Sequence, residues 1–201
     1  WDNKHVYTFT WLGRPIIQLP EDMIRLQEII YKVEPDIIIE TGIAHGGSTV
    51  FFASLLKLME KKFVISIEKS LRKINKEKIL AHKLSKNIKL IEGDSTTTET
   101  YEKVLNLVSP NSKIMVFLDS NHSKEHVLKE LELFSKLVSI NSYIIVCDGI
   151  MKYLKNAPRT KPDWSHNNPV SAIKDFLKNN KNFVCEEPKF AFNESNITKR
   201  I

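Results

Sequence analysis

Five acids, Glu40, Glu68, Asp94, Asp119 and Asp148, each stand at or just after the end of an apolar run that reads as a β-strand. Open α/β sheets bind ligands at the carboxyl ends of their strands, so acids there are placed to meet a ligand. Such a carboxylate can face an ammonium group, accept from sugar hydroxyls or hold a hard cation. Asp119-Ser120-Asn121-His122 and Cys147-Asp148-Gly149 follow the last two of these runs. Two carboxylates at neighbouring strand ends, with positions left for water and substrate, suit Mg2+. They do not suit a structural Zn2+ site, which asks for thiolate or imidazole at metal spacing. His122 follows Asp119 by three residues at a helix entrance. There an imidazole can remove a proton from a nearby hydroxyl. Capping the helix or pairing with Asp119 are its competing roles.

The stretch Ile37-Ile38-Ile39-Glu40-Thr41-Gly42-Ile43-Ala44-His45-Gly46-Gly47-Ser48 joins one of these acids to a glycine-bearing turn. The β-branched run suits a strand buried on both faces of a parallel sheet. Gly42, Gly46 and Gly47 allow a sharp turn and close approach to a ligand. Ser48 and Thr49 open a helix whose first N–H groups are free to face a polar ligand. The turn lacks the Gly-Lys-Ser/Thr ending of a phosphate loop and the Gly-x-Gly-x-x-Gly dinucleotide spacing. It resembles instead the first motif of class I methyltransferases, which use S-adenosylmethionine. In that family the turn holds the amino-acid part of the cofactor, and Glu40 would face its ammonium group. Glu68, one crossover later, is placed to accept from ribose hydroxyls. Gly93-Asp94-Ser95 is placed to meet the adenine edge.

The elements that must position these residues alternate. Strands are expected at residues 37–41, 63–68, 88–92, 113–118 and 142–147. Helices are expected at 21–33, 48–60, 71–84, 98–108, 123–138 and 168–179, the last with Asn168 as cap and Pro169 in the first turn. Strand–helix alternation of this kind implies a doubly wound, mostly parallel sheet with helices on both faces. Residues 183–185 and 190–193 are short strand candidates for an antiparallel C-terminal edge hairpin, and 198–201 a last short segment. The polar stretch 151–167 is a long loop, and loops of that length inside a domain usually serve function.

With 201 residues and 42% hydrophobic content, the chain is expected to form a single domain, 1–201, with an N-terminal segment and helix at 1–35 and the core at 36–201. No apolar run is long enough to span a membrane, no signal peptide is apparent, and a cytoplasmic location is expected. Cys147 and Cys185 have no metal or redox spacing and read as small buried thiols at strand ends. The net charge of +6 is spread over lysines on helix faces, without an arginine–aromatic cluster, so no nucleic-acid partner is expected. The aromatics of residues 1–20 look exposed, which leaves a homo-oligomer open.

Three segments make the resemblance specific: Ile39 to Ser48, Leu118-Asp119-Ser120-Asn121-His122-Ser123, and Asn167-Asn168-Pro169, together with Gly13-Arg14-Pro15-Ile16-Ile17-Gln18 and Pro20 upstream. Together they resemble the cephalosporin hydroxylase-like family over nearly the whole chain. Despite that name, its members look like class I methyltransferases, and relatives methylate sugar hydroxyls of natural products. The resemblance implies S-adenosylmethionine at Glu40, Gly42, Glu68 and Asp94, with His45, Gly46, Gly47, Ser48 and Ser95 completing the cofactor site. It implies a divalent metal at Asp119 and Asp148, with His122 as base. One position departs from the family, which often has an acidic pair after the fifth strand. Here Cys147 precedes Asp148, and a thiol is a poor Mg2+ ligand, so either Asn121 or water fills that place or the metal site is weakened or lost.

The reading is an S-adenosylmethionine-dependent O-methyltransferase, Mg2+-assisted, acting on a hydroxyl of a sugar or glycosylated metabolite. The alternatives are a cofactor-binding protein without turnover and an iron-dependent hydroxylase. The second lacks a two-histidine, one-carboxylate grouping on a β-rich pattern.

Overall fold

The computed structural model describes residues 4–154 and 157–186. Five strands, β3 (Ile37–Thr41), β4 (Phe63–Glu68), β5 (Ile88–Glu92), β6 (Ile114–Leu118) and β7 (Ile144–Val146), form one parallel sheet in the order β5-β4-β3-β6-β7. β3 is central, and all five of its residues are buried, as its uninterrupted apolar run requires. The order reverses on either side of β3, which opens a crevice at the exits of β3 and β6.

Strand alternation sends neighbouring residues to opposite faces, and each face has its own core. Ile38, Val64, Met115 and Phe117 pack under α1 (Pro20–Val33), α2 (Gly47–Leu58) and α3 (Lys73–Leu80) through Ile30, Phe52, Leu56 and Ile79. Ile37, Ile39, Ile65 and Val116 pack under α4 (Thr98–Leu105), α5 (Lys124–Phe134) and α6 (Pro169–Asn179) through Val104, Leu131, Phe134 and Phe176. Asn168 caps α6 by accepting from the Ser171 N–H, with Pro169 in the first turn.

An antiparallel hairpin, β1 (Phe9–Trp11) with β2 (Arg14–Ile16), precedes α1 within the N-terminal segment. Leu12 and Gly13 both have positive φ, the geometry of the two-residue loops that match strand twist. The hairpin's aromatics turn inward. Trp11 meets Phe51 edge-on at 5.0 Å and donates its indole N–H to Ser54 Oγ at 3.1 Å. That removes much of the apolar surface on which an oligomer contact was expected, although Tyr7 stays exposed. At the other end, residues 183–186 carry no strand, and Cys185 is exposed rather than buried. The other strand candidates, 190–193 and 198–201, lie outside the described residues. Among the described residues, the antiparallel hairpin is the N-terminal one. The stretch 151–167 is partly ordered by 3-10 turns at Gly149–Tyr153 and Pro162–Ser165, and Met151 is buried. Among the described residues, no helix is long and apolar enough to cross a membrane.

Candidate active site

The parallel register aligns the strand exits: Thr41 pairs with Ile67 and Leu118, and Glu68 with Glu92. The acids expected at these exits are all there, but they do different things.

Glu40 is fully buried. Its carboxylate accepts from Ser48 Oγ, from Thr49 Oγ1 at 2.6 Å and from Ser66 Oγ at 2.6 Å. Burial raises its pKa, and the three hydroxyls act in the opposite direction. Glu40 is thus an internal clasp between β3, β4 and the start of α2. Its oxygens, expected to face a ligand's ammonium group, are engaged by protein donors, Ser48 Oγ among them.

The glycines also serve the protein's own packing. Gly42 has φ +87°, and a Cβ there would lie 2.1 Å from the Asp119 carbonyl oxygen. A Cβ on Gly47 would lie 2.2 Å from the Pro15 carbonyl oxygen. Gly42 lets the β3 exit close on the β6 exit, and Gly47 lets the hairpin press on α2. Both positions require close approach of backbone to backbone.

Glu68 Oε2 accepts from the amides of Ile43 and Ala44 at 3.0 and 3.2 Å, spanning from β4 to the glycine turn. Asp94 accepts from the Thr96 amide and hydroxyl and pairs with Lys69 at 2.8 Å. The Lys69 contact, followed by the Thr96 donors, holds its carboxyl well below the usual carboxylate range. Ser95 is buried with its Oγ 3.2 Å from His126 Nε2. The same ring nitrogen lies 3.1 Å from Ser120 Oγ, which donates to the buried Glu130 at 2.6 Å. This network joins the β5 and β6 exits. Sequence reading missed His126 and Glu130, whose i,i+4 spacing looks like any helix face. His45 sits at the turn, its carbonyl accepting from the Arg14 guanidinium.

The β6 and β7 exits bring together the residues first singled out. Ligand atoms of Asp119, His122 and Asp148 lie within 4.8 Å of one another. His122 Nε2 is 3.2 Å from Asp148 Oδ2, so histidine pairs with Asp148 rather than with Asp119. Asp148 has φ 57° in the left-handed region, a strained placement that aspartate tolerates. Asp119 accepts from the Gln18 amide at 2.8 Å. Burial, then Asp148, then Glu40 push its pKa well up, and the Gln18 amide and Cys147 thiol pull the other way. Like charges about 4 Å apart cost roughly 4 kcal/mol at an effective dielectric near 20. A hydrogen bond to a charged group returns only ~1.5–3 kcal/mol. The carboxylates are therefore not balanced by protein donors.

Cys147 explains the departure from the expected acidic pair. Burial first, then Asp119 and Asp148, push its thiol pKa well up, so it stays protonated and donates to Asp119. It is a hydrogen-bond donor at the site, and His122 takes the third position of the cluster. Asn121, offered as a substitute ligand, instead accepts from the Ser123 N–H at the start of α5. Ser123 occupies the cap position without a side-chain capping bond.

The residues fit both absent groups. Two mutually repelling carboxylates beside an imidazole form an oxygen-rich donor set for a hard divalent cation. Glu68 offers acceptor oxygens at the turn, and the first N–H groups of α2 have no side-chain cap and no acid among them. A molecule with hydroxyls and an anionic end matches that pattern.

A family model described as Rhamnosyl O-methyltransferase/CmcI matches residues 3–198. A rhamnosyl O-methyltransferase of Mycobacterium leprae (strain TN) is 30% identical over 191 residues, covering 92% of this chain and 79% of that protein. One from Mycobacterium tuberculosis (strain ATCC 25618 / H37Rv) is 30% identical over 142 residues, covering 70% of this chain and 56% of that protein. Among solved structures, CmcI-D160 with Mg and SAM superposes with a TM-score of 0.55 at 21% identity, covering 84% of this chain and 67% of that one. The O-methyltransferase from Bacillus cereus in complex with SAH gives 0.57 at 19% identity, covering 80% and 69%. These structural likenesses bear on the fold.

Proposed function

This chain belongs to the Rhamnosyl O-methyltransferase/CmcI family, and on that premise we propose that it transfers a methyl group from S-adenosylmethionine to a hydroxyl of a sugar or glycosylated metabolite. The observation that carries the reading is the grouping of Asp119, His122 and Asp148 beside the glycine turn, following adjacent strands. When bound, the cofactor supplies an electrophilic methyl on a sulfonium. A divalent cation held by Asp119 and Asp148 would lower the pKa of a nearby hydroxyl and leave the His122 imidazole free to take its proton.

The chain's own residues do the rest. Glu68 accepts from the ribose hydroxyls, exchanging its hold on the Ile43 and Ala44 amides. Glu40 acts indirectly, by fixing Ser48 and Thr49 so that the first turn of α2 keeps its shape. Asp94 shapes the β5 exit through Thr96, and Ser95 meets the base edge. Gln18 and the Cys147 thiol orient Asp119. Asp148 orients His122, which receives the acceptor's proton. Most of the rate then comes from alignment and exclusion of water.

His122→Gln tests this assignment. Turnover should fall roughly a hundredfold, the scale of general-base help, while calorimetry finds S-adenosylhomocysteine affinity within about twofold of wild type. Rescue of turnover by excess Mg2+ would make His122 a ligand only, and near-normal turnover would leave it structural.

A further inference from the structure

Asn167 and Asn168 stand side by side at the start of α6, yet they serve two different helices. Asn168 Oδ1 caps α6 by accepting from the Ser171 N–H, and its Nδ2 donates to the Trp164 carbonyl at 2.7 Å. Asn167 Oδ1 reaches across to α5, where it accepts from the Lys124 N–H at 2.8 Å, 43 residues away in sequence. Its Nδ2 donates to Asp163 Oδ2 at 2.8 Å, and its backbone N–H donates to the Asp163 carbonyl at 2.7 Å. A carboxylate only accepts, so the amide cannot flip, and its oxygen stays turned to α5.

That bond lies next to His122. A helix begins with N–H groups that have no partner within it. Ser123, at the cap position of α5, supplies no side-chain bond to them. Two asparagines act there instead. Asn121 Oδ1 accepts from the Ser123 N–H at 2.9 Å, which closes a turn with His122 at its centre. Asn167 Oδ1 accepts from the next N–H, on Lys124. The imidazole of His122 is held from the other side by Asp148 Oδ2 at 3.2 Å. Joining α5 to α6 does not need Asn167. The Lys124 ammonium already pairs with Asp175 on α6, and Leu131 and Phe134 share one core with Ala172 and Phe176. What the Asn167 bond adds is a fixed place for the first turn of α5, and so for the residue that leads into it.

We propose that Asn167 is a positioning residue for the methyl transfer: it caps α5 from the 162–168 turn and thereby sets the His122 imidazole beside Asp119 and Asp148. The inference rests on the reading of His122 as proton acceptor. Asn167 acts through His122 and is not itself a catalytic residue. Displacement of a reacting group by about 1 Å is enough to lose most of its contribution to rate.

The ring signals of His122 in 1H–13C spectra, assigned by their loss in His122→Gln, test the placement without an acceptor. Asn167→Ala should shift and broaden them, while His126, one turn further along α5, keeps its own. Asn167→Asp retains an oxygen for the Lys124 N–H but sets two carboxylates against each other at positions 163 and 167. It should disturb His122 as well, and adding Asp163→Asn, which again faces an amide with a carboxylate, should restore the wild-type signals. A panel of p-nitrophenyl glycosides as acceptors supplies the kinetic arm. Asn167→Ala should lower kcat roughly ten- to a hundredfold, the scale of misplacement, with KM and S-adenosylhomocysteine affinity within about twofold of wild type. In the His122→Gln background the same substitution should cost less than about twofold, because two residues that act on one step are not additive. Unchanged His122 signals in Asn167→Ala would overturn the proposal, as would an equal cost of Asn167→Ala with and without His122. The spectra decide alone if none of the glycosides is turned over. Near-normal turnover in His122→Gln by itself would instead remove the reading of His122 as base, and the proposal with it.

Discussion

The exits of β3, β4 and β5 and the exits of β6 and β7 carry the same kind of residue in opposite electrostatic states. On the first side, each acid has donors of its own. Glu40 has three hydroxyls, Glu68 two amides, and Asp94 a lysine and Thr96. On the second side, Asp119 and Asp148 repel each other, with a glutamine amide, a neutral thiol and an imidazole as the available partners. The first arrangement is stable as it stands and shapes a pocket. The second is complete only with added positive charge. An acid at a strand end calls for an added positive charge when its own donors fall short.

The largest effect should come from neutralising the second side. Asp119→Asn removes a cation ligand and a repulsion together. Turnover should fall by roughly a thousandfold, the upper scale for loss of a preorganised electrostatic partner, while S-adenosylhomocysteine affinity changes less than about threefold. The same variant should be more stable than wild type in chelator at neutral pH. The sign follows from linkage. Asp119's folded pKa is raised, so the folded state holds the proton longer than the unfolded chain, and stability declines as pH rises from the unfolded pKa, near 3.9, toward the folded one. Asparagine removes that decline, and Mg2+ added to wild type should oppose it. Thermal melts from pH 4 to 8, with and without Mg2+, check both. Equal slopes in wild type and variant would mean the two sides of the site do not differ in this way.

Much of the fold was legible because it rests on periodicity. Runs such as Ile37 to Ile39 and the caps Asn168-Pro169 state their elements locally. Asp119 and Asp148 were legible as a pair because strand order follows from alternation. What was not legible depends on residues far apart in sequence. The Glu40 clasp needs Ser66, 26 residues away, and the Asp119 contact needs Gln18, 101 residues away. Neither is encoded by spacing. The Leu12-Gly13 turn escaped notice because leucine is an unusual occupant of a left-handed position, where Asn or Asp would have announced the hairpin. His122 was legible as a chemical candidate, but the only partner its spacing offered was Asp119, and the β6–β7 pairing brings Asp148 to it instead.

A smaller effect should follow from weakening the self-sufficient side. Glu40→Gln leaves one carbonyl oxygen where three hydroxyls donated to two carboxylate oxygens. Replacing the carboxylate also relieves a buried charge, so the two changes partly cancel. A net loss of about 1–3 kcal/mol, the cost of leaving buried polar groups unsatisfied, is expected in urea unfolding. Cofactor affinity should fall with it, because Ser48 and Thr49 lose their anchor at the start of α2. A variant as stable as wild type would show that the hydroxyls rearrange freely and that the clasp does not hold the turn.

The smallest effect should come from Lys69→Ala, and its sign tests the comparison most directly. Asp94's folded pKa is depressed, the opposite of Asp119. Its contribution to stability is present above the unfolded pKa and is lost as pH falls through that value toward the folded one, below about pH 4. Lys69 is 74% exposed, so solvent screens the pair and the loss at neutral pH should stay under ~1 kcal/mol. Thr96 keeps its amide and hydroxyl on the carboxylate in the variant. The acid-side loss of stability should therefore shrink rather than vanish, while the decline above pH 4 that Asp119 imposes stays as it was. Stability curves of wild type, Lys69→Ala and Asp119→Asn should differ on opposite sides of pH 4. If Lys69→Ala altered the high-pH limb as well, Asp94 and Asp119 would be coupled through the Ser95–His126–Ser120 network, and the two sides of the crevice would titrate as one unit.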